Sequence, residues 1–223
     1  MEPSIAILAS DPALADERVV QRVLAGEVGL FEILMRRYNQ RLFRCIRAIL
    51  RNDAESEDAL QQAYISAYSH LGQFAGEARF ATWLTRIAIN EAYGRIRTAA
   101  RDAQRWEGEP MSEMQDRPRT PEDQVASHEV TTLIEQACDR LPEIYRVVFV
   151  LREIEELSTA ETAEALGLSE EAVKVRLHRA RGMLREHLVQ QIADSASGAF
   201  PFLGARCDRV VAAVLARIAI SGR

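Results

Sequence analysis

Residues 158–187 read STAETAEALGLSEEAVKVRLHRARGMLREH: a short helical pattern, a glycine, then a longer basic helical pattern. Ala160, Ala163, Ala165 and Leu166 give the first helix a small apolar face, suited to a close helix crossing. Gly167 stands where a helix C-terminus favours a residue that tolerates positive φ. Leu168 plugs the corner and Ser169 caps the next helix, with Ala172 rather than a capping-box acid three residues on. Val173, Leu177, Ala180 and Leu184 form the apolar stripe of the second helix. Lys174, His178 and Arg181 lie opposite, with Val175 and Arg179 beside them. These are the parts of a helix-turn-helix, whose second helix enters the DNA major groove. The alternative is an amphipathic helix with an ordinary solvated face. The turn and the one-sided charge favour nucleic acid.

The overall charge hides this. The 223-residue chain is 48% hydrophobic and 27% charged, as a globular protein is, and its formal net charge is −5. Glu171 to His187 nevertheless carries five Lys/Arg against two Glu, a local +3. Arg86 to Arg105 carries five Arg against Glu91 and Asp102, again +3. Between them Glu107 to Asp123 holds six acids against Arg117 and Arg119, a local −4. A DNA footprint is a property of patches, so the local values outweigh the total. Three scattered cysteines, Cys45, Cys138 and Cys207, form no CxxC or Cys/His cluster. No metal site is expected, and a reducing, cytoplasmic setting is. Neither a basic-then-apolar leader nor a run of 18 apolar residues is visible, so no signal peptide or membrane span is expected.

Strand signals are nearly absent and 3.6-residue periodicity dominates, which predicts an all-α chain. Helices are expected at about 16–26, 28–51, 54–71 and 79–100, the third opening after the cap pair Asn52-Asp53. Two glycines mark GQFAGEAR (72–79) as a loop. Three prolines and many acids make 101–126 a flexible acidic linker. Helices resume at 127–140 and 142–156 before the helix-turn-helix, and the pattern breaks at Ser195–Gly198. The reading is a 16–100 domain, the linker, a 127–189 domain and a 190–223 helical extension.

Three stretches in this order resemble the bacterial sigma-70 family, in its small extracytoplasmic-function group: DAESEDALQQAYISAYSHLGQF (53–74), FAGEARFATWLTRIAINEAYGRIR (74–97) and LPEIYRVVFVLREIEELSTAETAEALGLSEEAVKVRLHRARGMLREHL (141–188). The resemblance covers about residues 16–189. It implies a promoter-specificity subunit that binds bacterial core RNA polymerase through the β′ coiled coil and β flap. Such a subunit reads promoter DNA, is held by an anti-sigma protein, and uses no cofactor. By resemblance, 16–100 is a sigma-2-like domain that docks on polymerase and melts the −10 region, and 127–189 is a sigma-4-like domain that reads the −35 region. Asp58 and Gln61, with Glu57 beside them, match the polymerase-contact positions. Gln62 stands where the family often has Glu, and Tyr64 where it often has Phe. The −10 segment maps onto Phe74, Glu77, Arg79, Arg86, Asn90, Arg95 and Arg97. The −35 contacts map onto Lys174, Val175, Arg176, His178, Arg179 and Arg181, where Arg176 or Arg179 is expected at a base edge and Arg181, with Arg185, at phosphate. Val175 replaces a commonly small polar residue and suits a thymine methyl. Trp83, in register with Phe80 and Ile87, is expected in the core rather than stacked on a base.

Two other classes fit the sequence less well. A stand-alone helix-turn-helix regulator leaves the 53–97 pattern without a purpose. An enzyme is disfavoured because His70, His128, His178 and His187 are scattered, and no phosphate loop or nucleophile elbow accompanies them. Val210, Val211, Val214, Leu215 and Ile218 predict an amphipathic tail helix that either completes the core or meets a regulatory partner.

Overall fold

A computed structural model describes residues 14–76, 78–105, 125–196 and 209–214. These contain helices and turns and no strand, in agreement with the all-α expectation. The chain forms two compact units, Met1–Leu184 and Arg185–Arg223.

The first unit opens with α1 (Asp16–Leu24), a 3-10 turn (Val28–Leu30) and α2 (Phe31–Leu50). Arg37 and Tyr38 of α2 both donate to the Asp16 carboxylate, and Arg37 also donates to the Leu14 carbonyl at 3.1 Å, which ties α1 across α2. α2 ends where Arg51 turns left-handed (φ +58°) and returns its N–H to Arg47. Asn52 then caps α3 (Asp53–Ser69), its side chain accepting from the Glu55 N–H at 2.9 Å. Asp53 and Glu55 sit in the first turn, where the helix dipole favours acids. Ser56, Ala59, Ala63 and Ala67 form a buried stripe of small side chains, which lets α3 lie close against its neighbours.

After a 3-10 turn (Leu71–Gln73) comes α4 (Phe80–Arg105). α2, α3 and α4 pack mutually into a bundle around Ile33, Leu34, Leu42, Ile46, Phe80 and Leu84. α4 runs five residues past the expected end at 100. TAARDAQR (98–105) contains no glycine or proline to stop it.

α5 (Val125–Asp139) leads to α6 (Glu143–Phe149), which widens into a π-turn (Val150–Ile154) closed by the Glu155 N–H on the Val150 carbonyl at 3.0 Å. Glu156 follows in the left-handed region (φ +55°), and Glu155 is left only 8% exposed. The expected uninterrupted helix over 142–156 is therefore broken near its end.

α7 (Thr159–Leu166) is held by a full capping box: Ser158 Oγ accepts from the Glu161 N–H at 3.1 Å, and Glu161 accepts from the Ser158 N–H at 2.9 Å. Gly167 closes it at φ +63°. Ser169 Oγ caps α8 (Glu170–Ala196) through the Ala172 N–H at 3.2 Å, as the sequence suggests. Val173, Leu177 and Ala180 are buried with Ala163, and Leu184 packs beside them. Ala160 is exposed instead of lining this face, and Thr162 is buried in the α7 interior. In the second unit residues 209–214 are helical, with Val210, Val211 and Val214 about half exposed. Cys207, Leu215 and Ile218 lie outside the described residues.

A Cβ on Gly167 would meet no heavy atom within 4 Å, so only its backbone conformation demands glycine. Gly167→Ala is expected to destabilise the unit by about 1 kcal/mol in urea unfolding, the left-handed cost of an L side chain. An unchanged midpoint would contradict the turn geometry.

Candidate polymerase and nucleic-acid interfaces

α3 buries its small-residue stripe and turns the other side outward. Glu57, Asp58, Gln61 and Gln62 are all exposed, followed along the helix by Ile65 and Tyr68. Carboxylates, amides and two large apolar groups thus share one accessible surface. That combination suits charge-assisted hydrogen bonding to a basic partner with an apolar anchor at its centre. Ile65 and Tyr68 were not singled out from the sequence, although their helical spacing from Gln61 was available. The Tyr68 ring is held edge-on by Phe31 at 5.4 Å.

The loop before α4 is fixed by an aromatic cluster. Phe74 meets Phe80 edge-on at 5.4 Å and Trp83 at 5.5 Å, while Phe80 and Trp83 lie 5.6 Å apart. Phe74 and Trp83 are half-buried against the core. The packing expectation for Trp83 therefore holds, and Phe74 shares it. Arg79, Arg86, Asn90 and Arg97 are exposed along α4 or at its start. Arg95 is half-buried and pairs with Glu91 at 3.4 Å. Glu77 lies outside the described residues.

In the helix-turn-helix, Lys174, Val175, His178 and Arg179 are exposed on α8, and Val175 is an exposed apolar side chain on a basic face. Arg176 is half-buried. Arg179 donates to the Tyr145 hydroxyl at 3.2 Å, and Arg181 pairs with Glu153 at 2.8 Å. These partners from α6 and its π-turn orient two of the basic side chains.

The two segments also meet. α4 packs on α7, and α2 packs on α6 and its π-turn. Val147, Val150, Leu151, Leu157 and Ala165 join the same hydrophobic cluster as the bundle residues. Around them lie long-range polar contacts that sequence reasoning missed. Arg146, 3% exposed, donates to the Ala48 carbonyl at 2.6 Å and the Leu141 carbonyl at 2.7 Å. Arg47 forks onto Asp139 at 3.0 and 3.2 Å and reaches Asp53 at 2.7 Å. Glu155 sits between Arg41 at 3.3 Å and Arg44 at 3.1 Å. Arg79 pairs with Glu161 at 3.2 Å. Tyr93 of α4 hydrogen-bonds Glu143 of α6; burial, then the Glu143 charge and bond, push its phenol up to about 12, against the opposing charges of Arg176 and Arg146. The contacts that cross between the two segments, such as Arg47–Asp139, Arg146–Ala48 and Glu155–Arg44, join residues 92, 98 and 111 positions apart, so no local signal announces them.

Among the described residues, no group of three or more His, Cys, Asp and Glu is placed to hold a metal ion, and no helix is long and apolar enough to cross a membrane. Cys45 and Cys138 are buried free thiols. Burial raises both, Cys138 to about 11, which makes them poor nucleophiles.

Comparison with known proteins gives this arrangement its class. Family profiles for Sigma-70 region 2 and Sigma-70, region 4 match residues 34–102 and 131–184. The ECF RNA polymerase sigma factor SigW of Bacillus subtilis is 35% identical over 176 residues, 76% of this chain and 94% of that protein. The RNA polymerase sigma-H factor of Pseudomonas aeruginosa is 31% identical over 177 residues, 74% of this chain and 90% of that protein. The sigma factor RpoE of Bartonella quintana, solved with the anti-sigma factor NepR, superposes with a TM-score of 0.60 at 21% identity, covering 71% of this chain and 96% of that one. CnrH, solved with the cytosolic domain of CnrY, gives 0.57 at 24% identity, covering 78% and 97%. The chain belongs to the sigma-70 family, in its extracytoplasmic-function group of RNA polymerase sigma factors. α2–α4 carry region 2, and α5–α8 carry region 4 as far as residue 184.

The packed role of Trp83 is checked by stability. Trp83→Ala is expected to cost about 2 kcal/mol in urea unfolding, with Trp83→Phe recovering most of it. A Trp83→Ala chain as stable as the parent would mean that the ring is not held by Phe74 and Phe80.

Proposed function

We propose that this chain confers promoter specificity on bacterial core RNA polymerase, with each interface on a separate helix. The exposed α3 surface of Glu57, Asp58 and Gln61 docks on the β′ coiled coil. The loop and α4, through Phe74, Glu77, Arg79, Arg86, Asn90, Arg95 and Arg97, capture and melt the −10 region. α8 reads the −35 duplex through Lys174, Val175, Arg176, His178, Arg179 and Arg181, and region 4 meets the β flap. One observation carries this reading: a single chain presents an acid-and-amide docking stripe and two separate basic helices, in the order of regions 2 and 4.

The chain works by exchange of contacts and catalyses no covalent step. Unstacking a −10 base costs a few kcal/mol, which pocket and phosphate contacts offset. Both basic patches are modest, at a local +3 each. Tight binding therefore awaits polymerase, and the site of action is the cytoplasm, where polymerase works. An anti-sigma protein as the controlling partner is supported by the sigma factor RpoE of like fold, which was solved with the anti-sigma factor NepR. The expected linker is shorter than 101–126: between the end of α4 at Arg105 and the start of α5 at Val125, the acidic sequence 106–124 joins the regions, and 190–223 extend beyond region 4.

Run-off transcription tests this. Sigma-free core polymerase with the purified chain is expected to give specific transcripts from promoters near its own gene. Changing Asp58 and Gln61 together to Ala is expected to lower them at least tenfold while helical content stays constant. Undiminished transcripts from the double variant would remove α3 as the docking surface. At one fixed salt concentration, the free chain is expected to bind promoter duplex at least a hundredfold more weakly than the holoenzyme does. Equal affinities would favour a free-standing regulator.

A further inference from the structure

The basic face of α8 is not evenly built. Two of its cations are tied to other parts of region 4, and the ties differ in kind. Arg179 Nη1 donates to the Tyr145 hydroxyl at 3.2 Å, and Arg181 Nη2 pairs with the Glu153 carboxylate at 2.8 Å. A carboxylate offsets the charge it holds, whereas a hydroxyl orients a guanidinium and leaves its charge whole. Arg181 is thereby left to backbone contact. Among the described residues nothing else is hydrogen-bonded to Arg179, so its Nε and Nη2 edge stays open.

Tyr145 is well placed to aim that edge. It stands in the first turn of α6, its N–H on the Pro142 carbonyl at 3.0 Å. Its half-buried ring packs on the cluster that holds Val148, Val173 and Leu177, the last two from α8 itself. The hydroxyl is therefore delivered to α8 by a ring that packing already fixes. Arg179 is exposed, and Val175, 51% exposed, lies one turn before it on the same face. A guanidinium with one open edge matches guanine O6 and N7, and an apolar group beside it matches a thymine methyl.

We propose that Tyr145 is a positioning residue for promoter discrimination: its hydroxyl holds Arg179 so that the open edge reads one guanine of the −35 element. This rests on the sigma-factor reading above. An untethered Arg samples many rotamers, and ordering it on binding costs part of what the base contact contributes. Tyr145 orders the side chain before DNA arrives. It also keeps the fork from swinging to a phosphate, where every sequence would be bound alike. The hydroxyl touches no base; it acts through Arg179.

The test uses the full chain, sigma-free core polymerase and a pool of promoter-length duplexes randomised across the −10 and −35 elements. Duplexes bound by the holoenzyme at one fixed salt concentration are sequenced. The parent is expected to prefer guanine about tenfold over the other bases at one −35 position. Tyr145→Phe removes one oxygen and keeps the packed ring. It is expected to lower that preference at least about threefold, with preferences elsewhere and helical circular dichroism unchanged. Arg179→Ala is expected to abolish the preference at the same position, and Tyr145→Phe added to it is expected to change nothing further. An equal loss at every position would mean a merely structural hydroxyl and overturn the positioning role. An intact guanine preference in Tyr145→Phe, or in Arg179→Ala, overturns it as well. A parent that enriches no promoter overturns the sigma-factor reading, and the positioning role falls with it.

Discussion

One guanidinium joins the two halves of the larger unit. Every helix ends with carbonyls that its own ladder cannot satisfy. α2 ends at Leu50 and α5 at Asp139, and Arg146 sends Nε to the Ala48 carbonyl and Nη1 to those of Asp139 and Leu141. A single buried cation thus serves the negative ends of two helices, one from each region. Its burial is tolerable because its bonds go to carbonyls already concentrated there. Substituting a neutral side chain would leave carbonyls of both helices unpaired away from water, at about 1–3 kcal/mol each.

The rest of the arrangement follows from that junction. With α2 and α6 brought together, Val147, Val150 and Leu151 enter the hydrophobic cluster of the bundle. α7 is carried onto α4, and Glu155 onto the Arg41–Arg44 face of α2. The α3 surface points elsewhere and stays accessible. The proposed docking surface and the interregional packing therefore use different sides of the same bundle.

The helix-turn-helix was legible because its determinants are local. Gly167, Ser169 and the Val173–Leu177–Ala180 stripe act within a few residues of one another, and all behave as their spacing implies. Ala160 misled because a small residue is equally at home in water, whereas Thr162, polar by type, is buried. The reciprocal cap of Ser158 and Glu161 fits an S-x-x-E pattern and could have been read directly. The π-turn could not, since VLREI has nothing that distinguishes it from ordinary helix. Arg146, Arg47 and Glu155 were invisible for a different reason. In sequence they are charged residues on amphipathic helices, and only a partner about 100 residues away turns them inward. The family resemblance implies what each segment meets outside the chain and says nothing about what the segments do to each other.

The separation of the two regions in the free chain tests the Arg146 junction most directly. Spin labels at Arg18 on α1 and Glu171 on α8, both exposed, in a chain with Cys207 changed to Ser, would report it by electron–electron double resonance. Regions joined through Arg146 give one short, narrow distance in the free protein. A long or broad distribution of distances in the free protein would contradict that junction.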